Sequence, residues 1–226
     1  MRCISWFGGI GGFDLALREH GHEIVGYVER DAGKRRCYAS HFPMPAWAPW
    51  DAFTSETAAT VPEADLWVAS SGIDGLRWMM RMVAMHRPTV VLLESGPRGM
   101  PDWTVPGYVV LTGDVDSTHC GSAQRRVRPY LIATHLKWGP RAIEPILRSP
   151  RPVVESLIVH PDPSTYPSVE DAEEAQGFPR GYTKLCGDRG ARLRALGAAP
   201  DMHVARAIVA ALGPSGATRL LDGPGV

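Results

Sequence analysis

Residues 5–31 read SWFGGIGGFDLALREHGHEIVGYVERD, and this stretch decides the fold. An apolar run at 3–7 predicts a strand, four glycines follow within 8–12, and the spacing over 13–20 predicts a helix. A second strand is expected at 23–28. Glycines between a strand and a helix let the backbone turn tightly and approach a ligand closely, where the helix N-terminus offers free N–H donors. Glu29 closes the second strand about 20 residues beyond the turn, the place from which a carboxylate accepts hydrogen bonds from ribose hydroxyls. Ligands of open α/β sheets bind at the carboxyl ends of the strands, so an adenosine-containing cofactor is expected here.

The same alternation continues outward from that stretch. Helices are expected at 32–40 and 76–85, strands at 65–69 and 89–93, and two antiparallel neighbours at 108–111 and 127–133. Pro and Gly cluster from 139 to 167 around one strand-like run at 153–159. A short helix at 168–176 with Ser168 as its N-cap and a final helix at 202–212 complete the series. The fold class read from this pattern is α/β, a doubly wound, mostly parallel sheet of Rossmann-like type with a much reduced second lobe. Residues 1–137 form the expected core, 138–166 a reduced segment, 167–213 a region packing back on the core, and 214–226 a flexible tail.

Composition narrows the class further. With 226 residues, 44% of them hydrophobic, the chain has enough apolar material for a sizeable core, which excludes disorder as its global state. Lys and Arg number 24 and Asp and Glu 24, so contact with nucleic acid requires a local basic patch rather than overall charge. No apolar run approaches the roughly 20 residues of a membrane-spanning helix, and the expectation is a cytoplasmic protein without membrane contact. Cys3, Cys37, Cys120 and Cys186 lie far apart with no CxxC pair, which predicts reduced thiols and no metal site.

Four stretches, in order, resemble the DNA cytosine-5 methyltransferase family. Residues 5–31 resemble its first two motifs, which hold S-adenosyl-L-methionine, and Gln124-Arg125-Arg126-Val127-Arg128 is similar to its Gln-x-Arg-x-Arg motif. Residues 168–179, SVEDAEEAQGFP, resemble its helix ending in Gln-Gly-Phe-Pro, and residues 196–207, LGAAPDMHVARA, its closing motif. The resemblance implies that residues 1–137 are a methyltransferase core. Phe7 would pack on the adenine, Gly9, Ile10, Gly11 and Gly12 would form the turn around the methionine moiety, Glu29 would bind the ribose and Asp51 the adenine amino group. Glu94 would hold the target base, with Arg126 and Arg128 beside it. A nicotinamide-dependent oxidoreductase would also use the glycine turn and Glu29, but leaves the later matches unexplained.

The departures fall on the chemistry. The family's nucleophile sits in a Pro-Cys-Gln loop, and its thiolate adds to C6 of the cytosine. Here the loop reads Ala69-Ser70-Ser71-Gly72-Ile73-Asp74-Gly75, and Ile73 stands where the cysteine belongs. The family's lid and target-recognition region are also shortened or missing. Three readings follow. An acceptor such as an exocyclic amine or a hydroxyl on a modified pyrimidine needs no cysteine, and Asp74 is then a candidate proton acceptor. Cys120, four residues before Gln124, is the candidate for a relocated nucleophile. In the third reading the chain is a catalytically inactive homologue that serves as partner or regulatory subunit of an active DNA methyltransferase. The expected ligands are S-adenosyl-L-methionine and a pyrimidine-containing nucleic acid or nucleotide, with a second protein chain supplying target recognition as a further expected partner.

Overall fold

The computed structural model describes residues 1–96, 99–134, 144–147 and 168–213. Six strands form one sheet: β1 (Arg2–Trp6), β2 (Glu23–Val28), β3 (Leu66–Ser71), β4 (Val90–Ser95), β5 (Val109–Asp116) and β6 (Val127–Thr134), in the order β2-β1-β3-β4-β6-β5. The first four run parallel, and β6 is antiparallel to both neighbours, Glu94 facing Tyr130 and Asp116 facing Val127. The chain leaves β1 toward β2 on one side and returns to β3 on the other, so a topological switch point lies between β1 and β3. Beyond β2 the sheet ends in a single parallel bridge between Gly26 and Trp47. A side chain at Gly26 would meet the Trp47 ring at 2.6 Å, which is why that position is glycine.

Alternate strand residues feed two cores. Leu66, Val68, Val90, Leu92 and Ile132 point toward α1 (Gly12–Glu19), α2 (Ala32–His41) and the C-terminal helices α6 (Val169–Ala175), α7 (Arg189–Ala198) and α8 (Met202–Leu212). Trp67, Ala69, Val91, Leu93 and Leu131 point the other way, against Leu76, Met79, Met82 and Val83 of α4 (Ile73–His86). The period-2 side-chain alternation of a strand thus divides continuous apolar runs between two covered faces, the arrangement expected of a doubly wound sheet. The short helices α3 (Ser55–Ala59) and α5 (Glu144–Leu147) and the 3-10 helices Ser117–Cys120 and Lys184–Cys186 complete the described elements.

Several element boundaries differ from expectation for local reasons. α4 starts at Ile73 rather than 76, with Gly72 as its N-cap, so the loop residue in question is the first residue of a helix. α7 falls between the helices expected at 168–176 and 202–212, where no element is expected, and starts with the Asp188 side chain accepting from the Ala191 N–H. Ser168 caps α6 as expected, accepting from the Asp171 N–H. The apolar stretch Arg189–Leu212 is long enough to cross a bilayer by composition alone, but it is two helices and mostly buried within the fold. The strand-like run at 153–159 and the tail at 214–226 lie outside the described residues, as does all of the reduced segment 138–166 except 144–147.

Candidate functional site

The glycine turn is held from below by a buried polar network. Phe7 takes a left-handed φ of 52°, and the Gly8 N–H donates to the Val28 carbonyl at 2.9 Å, tying the turn to the end of β2. The Tyr27 hydroxyl donates to the Gly9 carbonyl at 2.7 Å, and its ring stacks on Tyr38 at 3.8 Å. The Tyr38 hydroxyl donates to one oxygen of Asp14 and the Ser5 hydroxyl to the other. Asp14 is fully buried, and burial pushes its carboxyl up to about 6 against the pull of those two donors.

Above the turn lies an outer cavity of about 280 Å³, lined by Phe7, Gly9, Glu29, Asp51 and Phe53 among others. Its size is near the lower end of small-molecule sites, about 300–1,000 Å³. Glu29 accepts from the Gly9 N–H at 2.9 Å and the Asp31 N–H at 2.8 Å, one bond on each oxygen. Each carboxylate oxygen has two lone pairs, so two acceptor sites remain for the vicinal hydroxyls of a ribose. Phe7 and Phe53 pack on one another, 5.7 Å apart centroid to centroid, and with Val28 and Ala52 they give the cavity an apolar lining against which a purine can lie. Gly9, at φ 59°, has only open space where a side chain would stand, nothing lying nearer than 4.0 Å. These residues fit an adenosyl cofactor.

Not every residue of the turn reaches this cavity. Ile10, Gly11 and Gly12 do not line it, because all three are packing positions. Ile10 is buried in the core and its carbonyl accepts from the Tyr182 hydroxyl. A side chain on Gly11 would strike the rings of Phe42 and Tyr38 at 2.7 and 2.9 Å, and one on Gly12 would strike Pro200 at 2.8 Å. Sequence reasoning missed Phe53 and Lys34, which do line the cavity. Phe53 carried a usable signal, standing two residues beyond Asp51, whose carboxylate accepts from the Phe53 N–H at 3.0 Å.

An inner cavity of about 200 Å³ adjoins the outer one and shares the wall Ser70, Ser71, Gly72 and Ala198 with it. Glu94, Arg126 and Arg128 line it, so the structure brings together these three residues from β4, the turn before β6 and β6 itself. Arg126 is buried and fixed by donating to the carbonyls of Gly197 at 2.9 Å and Ala199 at 2.8 Å. Its nearest guanidinium nitrogen lies 3.9 Å from Glu94 Oε1, an electrostatic contact too long for a hydrogen bond. Glu94 is buried, and its Oε2 accepts from the Ser70 hydroxyl at 2.8 Å while Oε1 has no hydrogen-bond partner. Burial holds the Glu94 carboxyl above the ordinary range, Arg126 opposing it. Arg128 is half-buried, its guanidinium bound to the Val127 carbonyl, and burial followed by repulsion from Arg126 lowers its pKa.

Two candidates stand apart from both cavities. Asp74, in the first turn of α4, is exposed and lines neither. Ile73 beside it lines neither cavity either, the shared wall ending at Gly72. Cys120 ends the short 3-10 helix Ser117–Cys120, lines neither cavity, and burial pushes its thiol up to about 11. A reactive thiolate requires the opposite shift. Among the described residues no cluster of His, Cys, Asp and Glu is able to hold a metal ion.

No family model and no curated protein matches the sequence. Solved structures do match the fold. A candidate DNA modification methyltransferase encoded within a prophage of E. coli has a TM-score of 0.70 at 14% identity, covering 99% of this chain and 100% of that one. The Dnmt2 methyltransferase of S. pombe has a TM-score of 0.68 at 13% identity, with 99% and 100% coverage. The Entamoeba histolytica methyltransferase EhMeth has a TM-score of 0.60 at 11% identity, with 94% and 97% coverage. At such identities the likeness speaks for architecture alone, and the architecture of this chain is the Rossmann-like methyltransferase fold found in DNA methyltransferases.

Proposed function

We propose that this chain is an S-adenosyl-L-methionine-dependent, methyltransferase-like protein of the DNA cytosine-5 type, acting on a pyrimidine base in nucleic acid or nucleotide without a cysteine nucleophile. The observation that carries the reading is the pair of adjoining cavities, one lined by the glycine turn and Glu29 and one by the buried charges of Glu94 and Arg126, with a shared wall. The cofactor, when bound, supplies an electrophilic methyl group. Glu29 holds the ribose hydroxyls, the adenine lies against Phe7 and Phe53, and Asp51 accepts from its amino group. In the inner cavity Glu94 and Arg126 orient the base through its polar edge.

Ile73 has no atom able to attack the base, so the acceptor must be nucleophilic in its own right, as an exocyclic amine or a hydroxyl is. Glu94, rather than the exposed Asp74, is then the carboxylate placed to hold the departing proton. The second reading, a catalytically inactive partner of an active methyltransferase, draws support from Ile73 and from the raised, displaced thiol of Cys120. In either reading a second protein chain is a reasonable source of target recognition. Incubation with radiolabelled S-adenosyl-L-methionine and a panel of normal and modified nucleic acids and nucleotides, followed by nucleoside mass spectrometry, tests these readings. Label on an exocyclic atom supports the first. Label in 5-methylcytosine contradicts cysteine-free chemistry, and no label alongside retained S-adenosylhomocysteine binding supports the partner role.

A further inference from the structure

Glu94 sits in a setting that ordinarily has a cost. Its carboxyl is buried, Oε1 has no hydrogen-bond partner, and Oε2 has a single one, the Ser70 hydroxyl. The charged and titratable groups around it are Arg126 and Arg128 on one side, Tyr130 opposite it on β6, and Asp201 at the N-cap of α8. Arg126 and Arg128 favour the ionised carboxyl, whereas burial and Asp201 favour the protonated one. Both forms are therefore within reach, and each needs a different partner at Oε2. An ionised oxygen needs a donor and a protonated one needs an acceptor.

Ser70 meets both needs. Its Oγ lies 2.8 Å from Glu94 Oε2 and 3.1 Å from the Ala198 carbonyl oxygen. A hydroxyl has one hydrogen, so it donates to only one of these at a time. With Glu94 ionised, the hydrogen points to Oε2. With Glu94 protonated, the carboxyl donates to Ser70 Oγ and the Ser70 hydrogen turns to the Ala198 carbonyl. Neither form leaves a buried donor without an acceptor, a mismatch that is otherwise strongly unfavourable. Ser70 and Ala198 belong to the wall shared by the two cavities.

We propose that Ser70 is a positioning residue for Glu94: its hydroxyl turns with the carboxyl's protonation state, keeping the proton on the Oε2 side and leaving Oε1 as an acceptor for a ligand N–H in both states. The assignment of that ligand as an aminopyrimidine rests on the function proposed above. The exchange between Ser70, Glu94 and Ala198 does not.

The test reads the Glu94 carboxyl directly, by difference infrared spectroscopy of the full chain across pH, without cofactor or nucleic acid. Glu94→Gln identifies the band. Ser70→Ala removes a donor that is worth more to the ionised form, so the Glu94 titration is expected to move upward by about one unit. Ser70→Thr, which keeps the hydroxyl, is expected to titrate as the unmodified chain does. An unchanged titration in Ser70→Ala, or a Ser70→Thr titration that follows Ser70→Ala, overturns the proposal. Calorimetric titration with cytidine 5′-monophosphate over the same pH range separates the two claims. A binding profile that moves with the infrared titration supports both, while absent binding with the infrared shift intact removes the base-site reading and keeps the role of Ser70.

Discussion

The two cavities are neighbours, yet they are built in opposite ways. The outer one is mainly backbone and surface: a glycine turn, strand ends, and a carboxylate already receiving two backbone N–H groups. The inner one is mainly buried side-chain charge, with Glu94 Oε1 and Arg126 Nε both without hydrogen-bond partners. A backbone-built site keeps its shape when a side chain changes, whereas a charge-built site loses stability as soon as one charge is left alone. Substitutions in the inner cavity should therefore act first on folding, and those in the outer cavity first on ligand affinity.

The largest effect should come from Arg126→Ala. It leaves the Glu94 carboxyl buried without its nearest cation and takes the Arg126 donor from the Gly197 carbonyl, the Ala199 carbonyl keeping the Gln176 amide, for an expected loss of about 3–5 kcal/mol in denaturant unfolding. A loss under about 1 kcal/mol would mean that the inner cavity does not depend on charge pairing, erasing the contrast.

Asp14 brings the buried-charge logic beneath the outer cavity. Its folded pKa, about 6, lies above the ordinary aspartate value of 3.8, so the folded chain holds its proton to higher pH than the unfolded chain does. The favourable contribution is therefore full below the unfolded value and is lost as pH rises through the folded one, on the order of 3 kcal/mol in total. Relative to Asp14→Asn, which does not titrate, the unmodified chain should lose stability between about pH 4 and pH 6 in urea melts. A difference that stays flat with pH would show that the network beneath the turn is not desolvated.

The turn itself offers an internal control. Gly11→Ala combines a left-handed φ of 85° with contacts under 3.0 Å, and should destabilise by about 2–3 kcal/mol. Gly9→Ala meets open space, and should cost only about 1 kcal/mol from its backbone conformation. Of the two, only Gly9→Ala alters the outer cavity, so only it should weaken S-adenosylhomocysteine in calorimetry. Equal weakening by both would place Gly11 in the ligand site after all. The smallest effect belongs to Cys120→Ser, expected within about 0.5 kcal/mol in stability and without influence on any transferred label. Loss of label in that variant would restore the relocated nucleophile.

The same contrast explains what the sequence made legible. Phe7, Gly9 and Glu29 fall within one strand–turn–helix–strand unit, where local spacing fixes geometry, and all three line the outer cavity. The inner cavity is assembled from four separate segments around Ser70, Glu94, Arg126 and Ala198, and no local pattern joins them. Glu94, Arg126 and Arg128 were reached only through collinear resemblance, and Ser70 was not reached at all, because its role depends on a carbonyl 128 residues away. Gly11 and Gly12 look like ligand positions in sequence, but their packing partners Phe42, Tyr38 and Pro200 come from distant elements. α7 is hidden for a related reason: its start depends on an Asp188 cap in a stretch where Gly187, Gly190 and Gly197 interrupt any apolar period.

The account stands on the outer cavity as an adenosyl site, and calorimetric titration of the chain and its Glu29→Ala variant with S-adenosylhomocysteine tests this most directly. Saturable one-to-one binding is predicted, weakened in the variant by about ten- to a hundredfold through loss of charged acceptors for the ribose hydroxyls. Absence of binding to the unmodified chain, or equal affinity in the Glu29→Ala variant, would contradict it.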